Sequence, residues 1–155
     1  VSKLNICWIG DSNNVLNSLI EASIKFSFNL NIGCPKNYNP SKEVLNYIKK
    51  NMGKVKIFNK ANEAIKNADV VLTDKVISMN DKVDKKKKIN DFLKFKLNSK
   101  LMSLSKDAFL LHCLPRGNEV TDEVFYGKNS KVWQQALNRV HVQKSILLFC
   151  LNKLR

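Results

Sequence analysis

The sequence predicts an α/β fold: a doubly wound, mainly parallel five-stranded sheet flanked by helices. Short apolar and β-branched runs alternate with amphipathic segments along the whole length, the pattern that right-handed βαβ crossovers produce. One run, Asp69 to Thr73 (DVVLT), is apolar at successive positions, as strands covered on both faces are. The 155 residues, 44% of them hydrophobic, are enough to bury one sizeable core, so residues 1–155 are expected to form a single domain.

Each element has its own signal. Lys3 to Ile9 reads as the first strand, and Gly10 to Asn14 (GDSNN) as a loop and helix cap. Val15 to Phe26 follows as a helix with Leu16, Leu19, Ile20 and Ile24 on one face. Asn29 to Gly33 is the second strand, closed by Cys34-Pro35. Ser41 caps a second helix that runs to about Asn51, with Glu43 in its first turn and Gly53 past its end. Val55 to Phe58 is the third strand, Ala61 to Ala68 a short helix, and Asp69 to Thr73 the fourth strand. Lys82 to Lys96 reads as one charged helix, Ala108 to His112 as the fifth strand, and Gln134 to Leu151 as a long closing helix.

Composition narrows the function. The formal charge is +14, but it is mostly lysine, and Arg116, Arg139 and Arg155 are the only arginines. The run Lys85 to Lys88 therefore reads as a solvated helix face, and no nucleic-acid partner is expected. No apolar run approaches the ~20 residues of a membrane span, so no membrane partner is expected either. The opening VSKLNICWIGD does not read as a signal peptide, because polar residues interrupt its apolar stretch. Cys7, Cys34, Cys113 and Cys150 lie far apart with no zinc-type spacing, which fits free thiols in the cytoplasm and no metal site. Gly10 is followed by Asp-Ser-Asn-Asn rather than a glycine-rich turn, which argues against a nicotinamide cofactor.

In a parallel sheet, ligands bind beyond the carboxyl ends of the strands. Three such ends carry unusual polar sets: Asp11 to Asn14, then Thr73-Asp74 with Ser78-Met79, then His112-Cys113-Leu114-Pro115-Arg116. Asparagine amides, a serine hydroxyl and a carboxylate suit an amino-acid head group, which presents both a carboxylate and an ammonium. Asp74 can hold an ammonium or partner a thiol. Cys113 is a candidate acid, base or nucleophile, and Arg116 offers a fork for an anion. The plain structural alternatives are that Asn13 and Asn14 cap a helix and that Asp74 and Ser78 shape a turn.

WIGDSNNVLNSL (Trp8 to Leu19), LTDKVISMN (Leu72 to Asn80), HCLPRGNEVTDEVF (His112 to Phe125) and QALNRVHVQKSIL (Gln135 to Leu147) resemble the second half of ornithine carbamoyltransferase. The resemblance runs the length of the chain in the family's order, and the TD-x-x-x-SM and HCLP segments separate ornithine enzymes from aspartate carbamoyltransferases. It implies a Rossmann-like ornithine-binding domain. Asn14, Asp74, Ser78 and the backbone of Met79 would grip the α-amino and α-carboxylate groups of L-ornithine. Cys113, catalytic with Asp74, would sit by the δ-amine and with Leu114 line the carbamoyl site. Arg139 would reach carbamoyl phosphate. The reaction, which needs no metal or organic cofactor, gives L-citrulline and phosphate within arginine biosynthesis, and the complete enzyme would be a homotrimer.

The family's Ser-Thr-Arg-Thr phosphate cradle and His-Pro segment occur nowhere in this sequence. The carbamoyl phosphate-binding first domain is thus expected outside it, and the chain alone is expected to be inactive, with an exposed apolar surface prone to self-association. Ser12, Val76, Asn80 and Leu137 stand where the family usually has glycine, tryptophan, glycine and an acidic residue. A stand-alone, non-catalytic amino-acid-binding module is the competing reading.

Overall fold

The computed structural model describes residues 1–77, 84–105 and 107–153. Five strands, β1 (Asn5–Ile9), β2 (Asn29–Gly33), β3 (Val55–Phe58), β4 (Val70–Thr73) and β5 (Phe109–His112), pair in the order β3-β2-β1-β4-β5. Every pairing is parallel, with Cys7 opposite Asn31 on one side and Val71 on the other. The chain builds outward from β1 through β2 to β3, then returns to β4 on the far side of β1. The topological switch therefore lies between β1 and β4, where such sheets open a crevice.

Alternation along the strands gives each face its own core. Trp8, Leu30 and Ile32 pack with Leu16 and Ile20 of α1 (Asn14–Phe26) and Ile48 of α2 (Lys42–Lys50). Cys7, Ile9, Val71 and Leu110 pack on the opposite face with α3 (Ala61–Ala64), Phe92 of α4 (Lys85–Phe92), Val124 of α6 (Asp122–Phe125) and Val132. Leu30 and Ile32 are fully buried, each contributing about 1.5–3 kcal/mol. Gly33 permits the close approach of α3: a Cβ there would lie 2.6 Å from Ile9 Cδ1 and 2.9 Å from Ala64 Cβ.

The expected fold class and all five strands are present. The differences lie at the ends of elements and in the short helices. Of the segment expected as one helix from Lys82 to Lys96, Lys82 and Val83 lie outside the described residues, and the rest is α4, capped by Asp84, then a 3-10 turn at Leu93–Phe95. That break lets Phe92 and Phe95 both turn inward, their rings 6.1 Å apart. Unanticipated are a 3-10 turn at Lys36–Tyr38 and two single-turn helices, α5 (Ser99–Met102) and α6. The closing helix, α7 (Val132–Cys150), begins two residues earlier than expected. Lys85, Lys86 and Lys87 are exposed as a solvated face requires, but Lys88 is only 3% exposed and pairs with Asp11. Among the described residues no helix is long and apolar enough to cross a membrane.

Candidate active site

The ends of β1, β4 and β5 lie side by side, so the loops that follow them converge at the switch point. Asp74 leaves β4 with its carboxylate held by three donors. Asn13 Nδ2 donates to Oδ2 at 2.9 Å, while the Lys75 N–H and the Cys113 thiol each donate to Oδ1 at 2.8 Å. The structure thus brings together Asp74 and Cys113, 39 positions apart in sequence. Burial, then the hydrogen bond and negative charge of Asp74, push the Cys113 thiol up to about 11. Cys113 is therefore a neutral thiol near pH 7, a hydrogen-bond donor rather than a thiolate nucleophile.

Asn13 does two jobs. Its Oδ1 accepts the Val15 and Leu16 N–H groups as the α1 cap, which leaves its amide N–H free to reach Asp74. Sequence reading placed it among the polar residues suited to an amino-acid head group, with the helix cap as the plain alternative, and nothing in the Asn-Asn doublet distinguishes the two asparagines. Asn14 opens α1 with an exposed side chain. Ser78 and Met79, and with them Asn80, lie outside the described residues.

Behind Cys113 sits a pair that sequence reading missed. His112 is 2% exposed and Glu119 8% exposed, and His112 Nε2 meets Glu119 Oε1 at 2.8 Å. His112 Nδ1 meets the Cys113 carbonyl oxygen. Both ring nitrogens face acceptors, so the two bonds form together only when the ring carries both protons. Burial pushes the Glu119 carboxyl up, but the hydrogen bonds from His112 and the Gly117 N–H outweigh it and hold it below the usual range. The pair fixes the backbone that carries Cys113 at both ends of the loop.

Arg116 is not available to an anion as expected. It donates to the Asp122 carboxylate and to the Val120 carbonyl oxygen, and its guanidinium lies 4.7 Å from the Phe125 ring centre and 5.4 Å from that of Tyr126. Its fork is consumed in bracing α6. The peptide bond before Pro115 is cis, and Leu114, which precedes it, is 44% exposed at the mouth of the site. Gln135, near the start of α7, accepts the His112 N–H at 3.0 Å and so fastens that helix to the end of β5. Arg139 is one helical turn further on the same face and exposed to solvent. An apolar cavity of about 490 Å³ adjoins these loops, lined by Thr73, Val76, Ile89, Phe92 and Glu119 among others.

Comparison with known proteins identifies the family and the fold. Residues 2–150 match the family model described as aspartate/ornithine carbamoyltransferase, Asp/Orn binding domain. The ornithine carbamoyltransferase of Methanocorpusculum labreanum is 44% identical over 148 residues, 94% of this chain and 48% of the relative. That of Rhodopseudomonas palustris is 46% identical over 149 residues, with the same shares. The crystal structure of the anabolic ornithine carbamoyltransferase from Campylobacter jejuni superposes with a TM-score of 0.89 at 37% identity, covering 99% of this chain and 53% of that one. The Pyrococcus furiosus enzyme superposes with a TM-score of 0.86 at 32% identity, covering 99% and 51%. The chain spans about half the length of the curated relatives it matches. It belongs to the aspartate/ornithine carbamoyltransferase family and corresponds to that family's Asp/Orn-binding domain.

Proposed function

We propose that residues 1–155 form the ornithine-binding domain of an ornithine carbamoyltransferase whose carbamoyl phosphate-binding half is not in this chain. The observation that carries the reading is the 2.8 Å contact between Cys113 Sγ and Asp74 Oδ1 at the switch point, beside the Asn13–Asn14 turn. In this reading Asn14, Asp74, Ser78 and the Met79 backbone hold the amino-acid head group of L-ornithine. Cys113 and Leu114 line the carbamoyl site, and Arg139 binds carbamoyl phosphate from α7.

The chemistry suits these groups. An amine like that of ornithine, with a pKa of about 10.4, is mostly protonated near neutrality and must lose a proton before it attacks. A carboxylate with a neutral thiol beside it can orient the ammonium and accept hydrogen bonds from it. One proton passes from the ammonium to solvent; the freed amine then adds to the carbamoyl carbon, the tetrahedral intermediate breaks its C–O bond to expel phosphate, and the second amine proton leaves with the phosphate, giving L-citrulline. Orientation and charge stabilisation supply most of the acceleration.

The complete protein is assigned as a cytoplasmic homotrimer acting in arginine biosynthesis, with the missing half as obligate partner of this chain. Family membership and the half-length match support that partner. In the complete protein, Cys113→Ala is expected to lower kcat about 100-fold while changing ornithine affinity only modestly. The 155-residue chain alone is expected to make no citrulline. An unchanged kcat in the variant, or turnover by the isolated chain, overturns the assignment.

A further inference from the structure

We propose that the buried ion pair between Lys88 and Asp11 is a positioning device that holds the Asn13–Asn14 turn against α4 and so sets affinity for the amino-acid head group. The inference rests on the ornithine-site reading above and extends it to two residues that touch no substrate there. Lys88 Nζ lies 2.5 Å from Asp11 Oδ2, with the two side chains 3% and 19% exposed. A lysine placed for solubility, like its neighbours Lys85 to Lys87, has no reason to be inside. Taking two charges out of water is costly, and the pair offsets that cost only when its geometry is fixed.

The surroundings fix it from three sides. The Tyr38 ring centre is 5.9 Å from Lys88 Nζ, and Tyr38 donates its hydroxyl proton to Asp91 Oδ2 at 2.9 Å, so the turn after β2 clamps α4 at two points. The Asp11 carbonyl oxygen accepts the Trp8 indole N–H at 3.1 Å and the Asn13 N–H at 3.0 Å. Asp11 is therefore held by its side chain from α4 and by its backbone from β1. Two residues on, Asn13 caps α1 and reaches Asp74. A continuous set of contacts runs from Lys88 through Asp11 and Asn13 to Asp74, and from there to Cys113. Removing the pair frees the loop that presents Asn14 while leaving the Asp74–Cys113 contact in place.

The consequence is specific. A head group is bound alike in the ground state and the transition state, so a misplaced Asn13–Asn14 turn raises KM and spares kcat. Carbamoyl phosphate, assigned to Cys113, Leu114 and Arg139, is unaffected.

The test uses the complete two-half enzyme, with citrulline formation followed against ornithine and carbamoyl phosphate and thermal unfolding measured in parallel. Lys88→Met is expected to raise the ornithine KM about 10-fold, with kcat and the carbamoyl phosphate KM within about threefold of the parent. Lys88→Arg restores the ornithine KM. The double variant Asp11→Asn, Lys88→Met removes both charges of this pair and recovers thermal stability, but keeps the raised KM. It carries the test if the single variant does not fold. A double variant that recovers both stability and KM shows that the pair is only structural and overturns the proposal, as does an unchanged KM in Lys88→Met. A parent enzyme that does not saturate with ornithine overturns the underlying substrate assignment instead.

Discussion

Replacing Glu119 with glutamine removes one charge and keeps the shape of the side chain. In the parent, Glu119 Oε1 accepts from His112 Nε2 at 2.8 Å and from the Gly117 N–H at 2.6 Å, while His112 Nδ1 is engaged by the Cys113 carbonyl oxygen. Without the carboxylate, His112 Nε2 and the Gly117 N–H lose a charged acceptor inside the protein. Removing one partner of a buried pair costs about 3–5 kcal/mol. The amide oxygen of glutamine recovers a neutral hydrogen bond of about 1 kcal/mol, leaving a loss of about 2–4 kcal/mol. With a urea slope of about 2 kcal/mol per M, the unfolding midpoint at pH 7 falls by about 1–2 M. The sign of the pH dependence is a second check. The folded carboxyl lies below its ordinary value of 4.5, because the His112 and Gly117 bonds outweigh burial. Its stabilisation is therefore full above that value and is lost as pH falls through the folded pKa. The gap between parent and variant narrows in acid. A midpoint shift under about 0.3 M, or a gap that widens below pH 4.5, refutes the account of Glu119 as the charge that completes the His112 bonds.

Three further outcomes are expected. Asn13→Ala loses the α1 cap and one of the donors on Asp74, and should lower stability by about 1 kcal/mol, or Tm by about 2–4 °C in calorimetry; an unchanged Tm counts against the dual role. Iodoacetamide near pH 8 should label the exposed Cys150 first and Cys113 slowly, since burial and then Asp74 hold the Cys113 thiol at about 11. Asp74→Asn should speed Cys113 labelling by roughly 10-fold for each pKa unit recovered, read by peptide mass spectrometry, and equal rates would break the link. Ile146, Leu147, Phe149 and Leu151 are each more than half exposed near the end of α7, so the isolated chain should self-associate in sedimentation at high concentration. Ile146→Lys with Phe149→Lys should return it to monomer, and a parent that is already monomeric contradicts the idea.

What could be read from the sequence, and what could not, follows the range of the interactions involved. Strand positions were legible because alternation and apolar runs are local, and β2 and β3 have the expected bounds. The convergence of Asp74 and Cys113 was legible too, because parallel neighbours bring their carboxyl ends together whatever the loops do. Helices α5 and α6 are one turn each, too short for any periodicity to register. Lys82 to Lys96 looked like one helix because its charges hide the inward demand of Phe92 and Phe95, which only the break at Leu93 satisfies. The same run hid Lys88, which pairs with Asp11 in the first βα loop, remote in sequence. His112 and Glu119 were invisible as a pair for a related reason: they are seven positions apart along a loop, and only the path of that loop makes them meet. Regular structure thus decides where reactive groups emerge, whereas irregular structure decides their partners and hence their charge. That division explains why Arg116, the most obvious anion binder in the sequence, is spent on Asp122 and two aromatic rings instead.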